Sequence, residues 1–198
     1  MNIRHLTAIL LLIAAGSTAQ ATTLVPSSTV ALLPSAGTVT QNSTFTVNLV
    51  LDAANAPGAH PGLYGGEIIV DFDKTLLTYT GFTLASGVSF YSAPVVTTTG
   101  NTQTVRFGFD NAVDVGTVGT FAFTAIGNPG SLAHLGLIDA DGFSGSFASY
   151  APTYQRFYPT FTGTQVNISA VPLPAGVWLL GTAVGALAAR RRFRRTAA

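Results

Sequence analysis

The chain has 198 residues, 47% of them hydrophobic and 9% charged, with no cysteine and a formal net charge of +1 at pH 7. The charges are segregated: Arg4 lies near the start, five arginines lie beyond residue 189, and residues 22–170 hold three basic against eight acidic residues, a net −5. An acidic middle argues against a nucleic-acid partner, whose phosphates need a basic face, and the lack of cysteine removes disulfides, thiolate nucleophiles and cysteine metal sites.

Residues 1–21 read as a secretory signal peptide. Arg4 supplies the positive start, residues 6–15 the apolar core, and Ala19 and Ala21 the small-x-small cleavage site around Gln20. The apolar run is too short for a membrane anchor. The mature chain is then expected to begin at Thr22, with residues 22–168 as one domain. At nearly 150 residues such a domain buries roughly 68–70% of its unfolded surface, enough for a core that needs no staple.

This middle is rich in Thr, Ser, Val, Phe and Gly, which favours strands and turns. Period-two alternation recurs and no long stretch shows a helical period. A first short strand is expected over 29–33, ending at Pro34. The next covers 45–51, with Phe45, Val47, Leu49 and Leu51 on one face. Residues 52–62, with Pro57, Gly58, Pro61 and Gly62, read as a loop. A strand over 66–72 points Ile68, Val70 and Phe72 inward, residues 73–75 turn the chain, and 76–82 resume it. Residues 102–110 carry Val105, Phe107 and Phe109 on one face, and 119–125 carry Phe121 and Phe123. Weaker strands are expected at 132–138 and 160–168, with 167–170 linking to the tail. Strands with turn signals and no intervening helices predict an all-β protein, an antiparallel β-sandwich or barrel.

The tail, residues 169–198, opens with Val171, Pro172, Leu173, Pro174 and Ala175 and continues uncharged to Ala189. Residues 171–189 would span about 28 Å as a helix at ~1.5 Å per residue, so a transmembrane helix is expected there. Arg190, Arg191, Arg192, Arg194 and Arg195 then form a cytoplasmic stop. Motif, apolar run and basic end together resemble the PEP-CTERM class of bacterial sorting signals in its VPLPA-type variant. The resemblance implies an exosortase, a membrane-embedded transpeptidase, as processing partner. It also implies transit through the inner membrane to the cell surface or extracellular matrix. This chain has Pro172-Leu173-Pro174 where the family usually has Pro-Glu-Pro. The plainer reading is a tail-anchor helix with a basic stop.

A second resemblance covers about residues 29–138. The 45–51 strand, the loop, and Gly66-Glu67-Ile68-Ile69-Val70-Asp71-Phe72-Asp73-Lys74-Thr75-Leu76-Leu77 look like the early strands of cohesin-type domains, which show an aromatic-Asp pair, a turn and then leucine. Gly119-Thr120-Phe121-Ala122-Phe123-Thr124-Ala125 resembles their later strand. This implies a jelly-roll sandwich related to carbohydrate-binding modules. Cohesins bind dockerins on one sheet face, but only the architecture is carried over here, not that partner.

Catalytic signals are thin. His60 falls in a Pro/Gly-rich loop and His134 in a strand-like stretch, where a structural histidine is the plainer reading; neither has a second histidine at ligand spacing. Gly142-Phe143-Ser144-Gly145-Ser146 misses the final glycine of a nucleophile elbow. Asp71 with Asp73, and Asp139 with Asp141, are carboxylate pairs that could serve glycoside hydrolysis, though aspartates at strand ends more often cap turns. Asp139 and Asp141, followed by Gly142, are weak calcium candidates that lack the later ligands of a calcium loop. No cofactor is implied. Tyr150, Tyr154, Phe157, Tyr158 and Phe161 cluster late in the chain. Tyr150, Tyr154 and Tyr158 are candidates to stack on sugar rings; the plainer reading has the cluster cover a sheet edge or plug the sandwich. The sequence thus predicts an exported, non-catalytic surface or matrix protein with an adhesion or assembly domain. Its partner would be another surface protein or an extracellular polysaccharide. The alternatives are a carbohydrate-binding module and a secreted hydrolase.

Overall fold

Thirteen strands are found among the residues that the computed structural model describes, which are 28–56, 62–142, 145–151, 154–172 and residue 182. In chain order they are β1 (Thr29–Pro34), β2 (Thr38–Thr40), β3 (Thr44–Asp52), β4 (Leu63–Asp73), β5 (Leu77–Leu84), β6 (Ser89–Thr99) and β7 (Thr102–Val113). There follow β8 (Val115–Ala125), β9 (Leu132–Asp139), β10 (Ala148–Ala151), β11 (Gln155–Arg156), β12 (Thr160–Thr162) and β13 (Thr164–Ser169). The signal segment, His60, Leu173, Pro174, Ala175 and Arg190, Arg191, Arg192, Arg194 and Arg195 lie outside the described residues. Among the described residues no helix is long and apolar enough to cross a membrane.

The alternating residues do what their period dictates. Val47, Leu49 and Leu51 of β3, Ile68 and Val70 of β4, Phe107 and Phe109 of β7, and Phe121 and Phe123 of β8 are completely buried. Their partners one residue along the chain face outward, as the pleat requires. Two sheets result. One runs β12-β1-β3-β8-β5. The other runs β6-β7-β4-β9-β13-β2, with β10 and then β11 continuing beside the first residues of β4, below the point where β9 pairs.

The two inner faces meet in an aromatic array. Phe82 packs on Phe107 at 4.4 Å and on Phe121 at 4.5 Å between ring centroids, and Phe72 meets Phe123 edge-on at 5.2 Å. Each fully buried phenylalanine contributes roughly 1.5–3 kcal/mol by leaving water. In a chain without cysteine, this packing has to hold the domain together.

The sandwich is not purely antiparallel. β1 pairs with β12, and β13 with β2, in parallel. The reason is that two connections cross between the sheets side by side in the same direction, β1 to β2 and β12 to β13. The second crossing is abrupt: Gly163 separates the two strands, and a Cβ there would collide with the Leu135 carbonyl oxygen. The single strand expected over 160–168 is therefore two. The expected linker from residue 167 is instead the end of β13, tied down where Ser169 Oγ donates to Val39 O at 3.1 Å. β2, β6, β10 and β11 were not foreseen by the alternation.

Candidate functional site

The outer face of the larger sheet carries a polar cleft of about 340 Å³. Its centre is Glu67 on β4. Below Glu67 the neighbour of β4 is β10; above it, β9. At Glu67 itself a side chain takes over from a strand: Ser146 Oγ accepts from Glu67 N at 2.7 Å and donates to Glu67 O at 2.8 Å. Ser146 is held in turn by its own N–H, which donates to Asp139 Oδ2 at 3.0 Å, while Asp139 Oδ1 accepts from Asp141 N at 2.8 Å. The loop after β9 is thus clamped to the sheet and presents Asp141 at the cleft wall.

The Glu67 carboxylate reaches across to β7, where the Arg106 guanidinium binds it with both ends, Nε to Oε1 at 2.9 Å and Nη2 to Oε2 at 3.0 Å. Hydrogen bonding to Arg106 holds the Glu67 carboxyl below its ordinary range, burial opposing. A carboxylate so paired stays ionised and cannot lend a proton near neutral pH. The rim is aromatic. Tyr91 on β6 is 72% exposed, Tyr154 60% and Tyr150 45%. Two of these rings lie against the sheet because glycines let them: a Cβ on Gly108 would come 2.9 Å from the Tyr91 ring, and one on Gly65 2.7 Å from Tyr150. Tyr150 meets Tyr154 edge-on at 6.0 Å, and Arg156 Nε donates to Tyr154 Oη at 3.2 Å. Burial first, then the charge of Asp110, push the Tyr150 phenol up to about 12. Asp110 Oδ1 is buried without a hydrogen-bond partner.

Solved structures share this architecture. The cohesin module of a family 33 glycoside hydrolase from Clostridium perfringens superposes with a TM-score of 0.55 at 10% identity, over 74% of this chain and 99% of that one. The seventh type I cohesin of ScaB from Pseudobacteroides cellulosolvens gives 0.53 at 11% identity, over 74% and 96%. The fold is cohesin-like. No family model and no curated protein matches the sequence.

The cohesin-like sandwich divides the late aromatic cluster. Phe157 is 1% exposed and packs edge-on against Tyr64 and Phe147, both at 5.8 Å. Phe161 is partly buried on the core, and Tyr158 lies half-buried against Gly145. Only Tyr150 and Tyr154 of the five stand at the cleft. The cohesin-like sandwich sets Asp71 and Asp73 on one outward face of β4, as their spacing implied, but Asp73 Oδ1 is engaged by Thr75 N at 2.8 Å and Thr75 Oγ1 at 2.7 Å. His134 faces outward from β9 and lines a second, shallow groove with Asp71 and Gln165. Among the described residues no three carboxylates or histidines are grouped to hold a metal ion. Tyr91, Glu67, Arg106 and Arg156 escaped the sequence reading. The outward parity of Glu67 and Arg106 on adjacent strands was the signal available for that pair.

Proposed function

We propose that this is an exported, non-catalytic surface or matrix protein whose cohesin-like sandwich serves adhesion or assembly. The outer-face cleft is its recognition site. The observation that carries this reading is the makeup of the cleft. Exposed tyrosines are laid over glycines around a carboxylate already neutralised by arginine, an arrangement suited to holding a partner rather than moving a proton. Cohesin architecture in the superposed structures is consistent with a protein partner. Delivery rests on the sequence: an N-terminal signal cleaved after Ala21, and the Val171–Ala175 motif, apolar run and arginines read by an exosortase-type enzyme. Replacing Arg190, Arg191, Arg192, Arg194 and Arg195 with neutral residues and fractionating cells tests delivery; unchanged location and tail processing would refute it.

A second reading, a carbohydrate-binding module at the cell surface, is favoured by Tyr91, Tyr150 and Tyr154. Their apolar ring faces can take the C–H face of a sugar while Arg156 and Asp141 offer donors and acceptors for hydroxyls. Titration calorimetry with neutral oligosaccharides separates the readings. Heat that disappears with Tyr91→Ala and Tyr154→Ala supports the glycan, whereas silence toward sugars beside capture of a surface protein supports assembly.

A further inference from the structure

The two sides of the sandwich are finished differently. On one, the paired crossings of β1 to β2 and β12 to β13 carry the chain over the gap between sheets. On the other stand β5 and β6, each paired along one side only among the described residues. Sheet edges of natural proteins are usually blunted by charge, by shortness or by proline, because unpaired N–H and C=O groups recruit other strands. β6 has eleven residues and none is charged. Val95 is 60% and Val96 46% exposed. Pro94 protects only the first half: the register against β7 shifts between Ser92 and Val95, then runs unbroken from Val95↔Arg106 to Thr99↔Thr102.

The direction of the free groups follows from the turn. Gly100 and Asn101 alone join β6 to β7, and Gly100 sits at φ +61, as the first position of a type II′ hairpin requires. The pair that closes a two-residue hairpin, here Thr99 with Thr102, is hydrogen bonded, and the two kinds of pair alternate from there. Val95, Thr97 and Thr99 therefore bond to β7, while Val96 and Thr98 turn their N–H and C=O groups to the open side.

We infer that β6 is where a second copy of this chain attaches, antiparallel, with the two-fold axis at Thr97. Val96 then exchanges hydrogen bonds with the partner subunit's Thr98, and Thr98 with the partner subunit's Val96. Thr97 meets the partner subunit's Thr97 with Cα atoms about 4.5 Å apart. The segment is self-complementary: β-branched side chains face β-branched side chains throughout, and no like charges meet, which would otherwise destabilise the pair. That neutrality stands out in a domain of net −5 over residues 22–170. An edge built for a charged partner would carry the opposite sign. This association goes beyond the recognition cleft and does not depend on it.

The absence of native cysteine makes the test clean. The full chain, purified in detergent, is expected to sediment as a dimer. Thr97→Cys is expected to give a disulfide-linked dimer under mild oxidation, since about 4.5 Å lies inside the range a disulfide spans. Thr83→Cys on β5 is expected to cross-link far more slowly. Thr98→Pro removes an N–H that points away from β7, so it is expected to yield a folded monomer with an unchanged circular dichroism spectrum. A wild-type chain that stays monomeric, a dimer that survives Thr98→Pro, or cross-linking at residue 97 no faster than at residue 83 would each overturn the inference.

Discussion

Glu67 and Arg106 show how a residue pair can be visible in the sequence yet unread. Both lie on strands that the alternation located, at outward positions, but their pairing depends on the β4–β7 register, which sets Glu67 opposite Gly108 and Ile69 opposite Arg106. Long side chains then close the diagonal. Because the Arg106 side chain is 51% exposed, solvent screens the pair, and it contributes about 0.2–1 kcal/mol. Glu67 has its folded pKa lowered from an ordinary 4.5, so its contribution is present above that value and fades as pH falls through the folded one. Glu67→Gln is expected to lower the urea midpoint at pH 7, with the gap to wild type closing as pH drops below 4.5; a gap independent of pH would contradict the ion pair. Tyr150 is the opposite case. Its phenol, raised to about 12, favours the folded state below the ordinary tyrosine range, and that contribution is lost as pH rises through about 12. Burial also raises the Tyr64 and Tyr79 phenols, so ultraviolet titration should show several late-ionising tyrosines, of which the one near 12 is lost in Tyr150→Phe and shifted to lower pH in Asp110→Asn.

At the scale of elements, strands with one wet and one dry face were legible and strands without that contrast were not. β3, β4, β7 and β8 each have a buried face that writes period two into the sequence. β6 has no dry face along most of its length, so nothing in its pattern separates it from a loop, and Pro94 argues against a strand. β2, β10 and β11 are too short to show a period. The cleft was legible only in part for the same reason: Tyr150 and Tyr154 stood out as a late aromatic cluster, whereas Tyr91 comes from β6. The alternation placed Gly66 at the start of a strand without a role, yet it is a packing residue within β4. A Cβ there would come 2.8 Å from the buried Phe147 ring, whereas Gly37 has open space. Gly66→Ala is expected to cost about 1–3 kcal/mol by overpacking, and Gly37→Ala to stay within about 0.5 kcal/mol. Equal effects in thermal or urea unfolding would contradict the packing account.

At the scale of the whole molecule, the sandwich architecture was readable from strand spacing and the aromatic-Asp turn. Its parallel pairs were not, because they depend on two crossings far apart in sequence that come to lie side by side. Composition places the charges of one sign mainly between the ends and the arginines mainly at them. That segregation underlies the central proposal, that the ends direct delivery and the sandwich between them does the recognising. Intact mass spectrometry of the protein recovered from its native cells tests this most directly. The account predicts a mature species beginning at Thr22 and ending near residues 171–175, without the arginines. Recovery of the unprocessed 198-residue chain from the cytosol would contradict it.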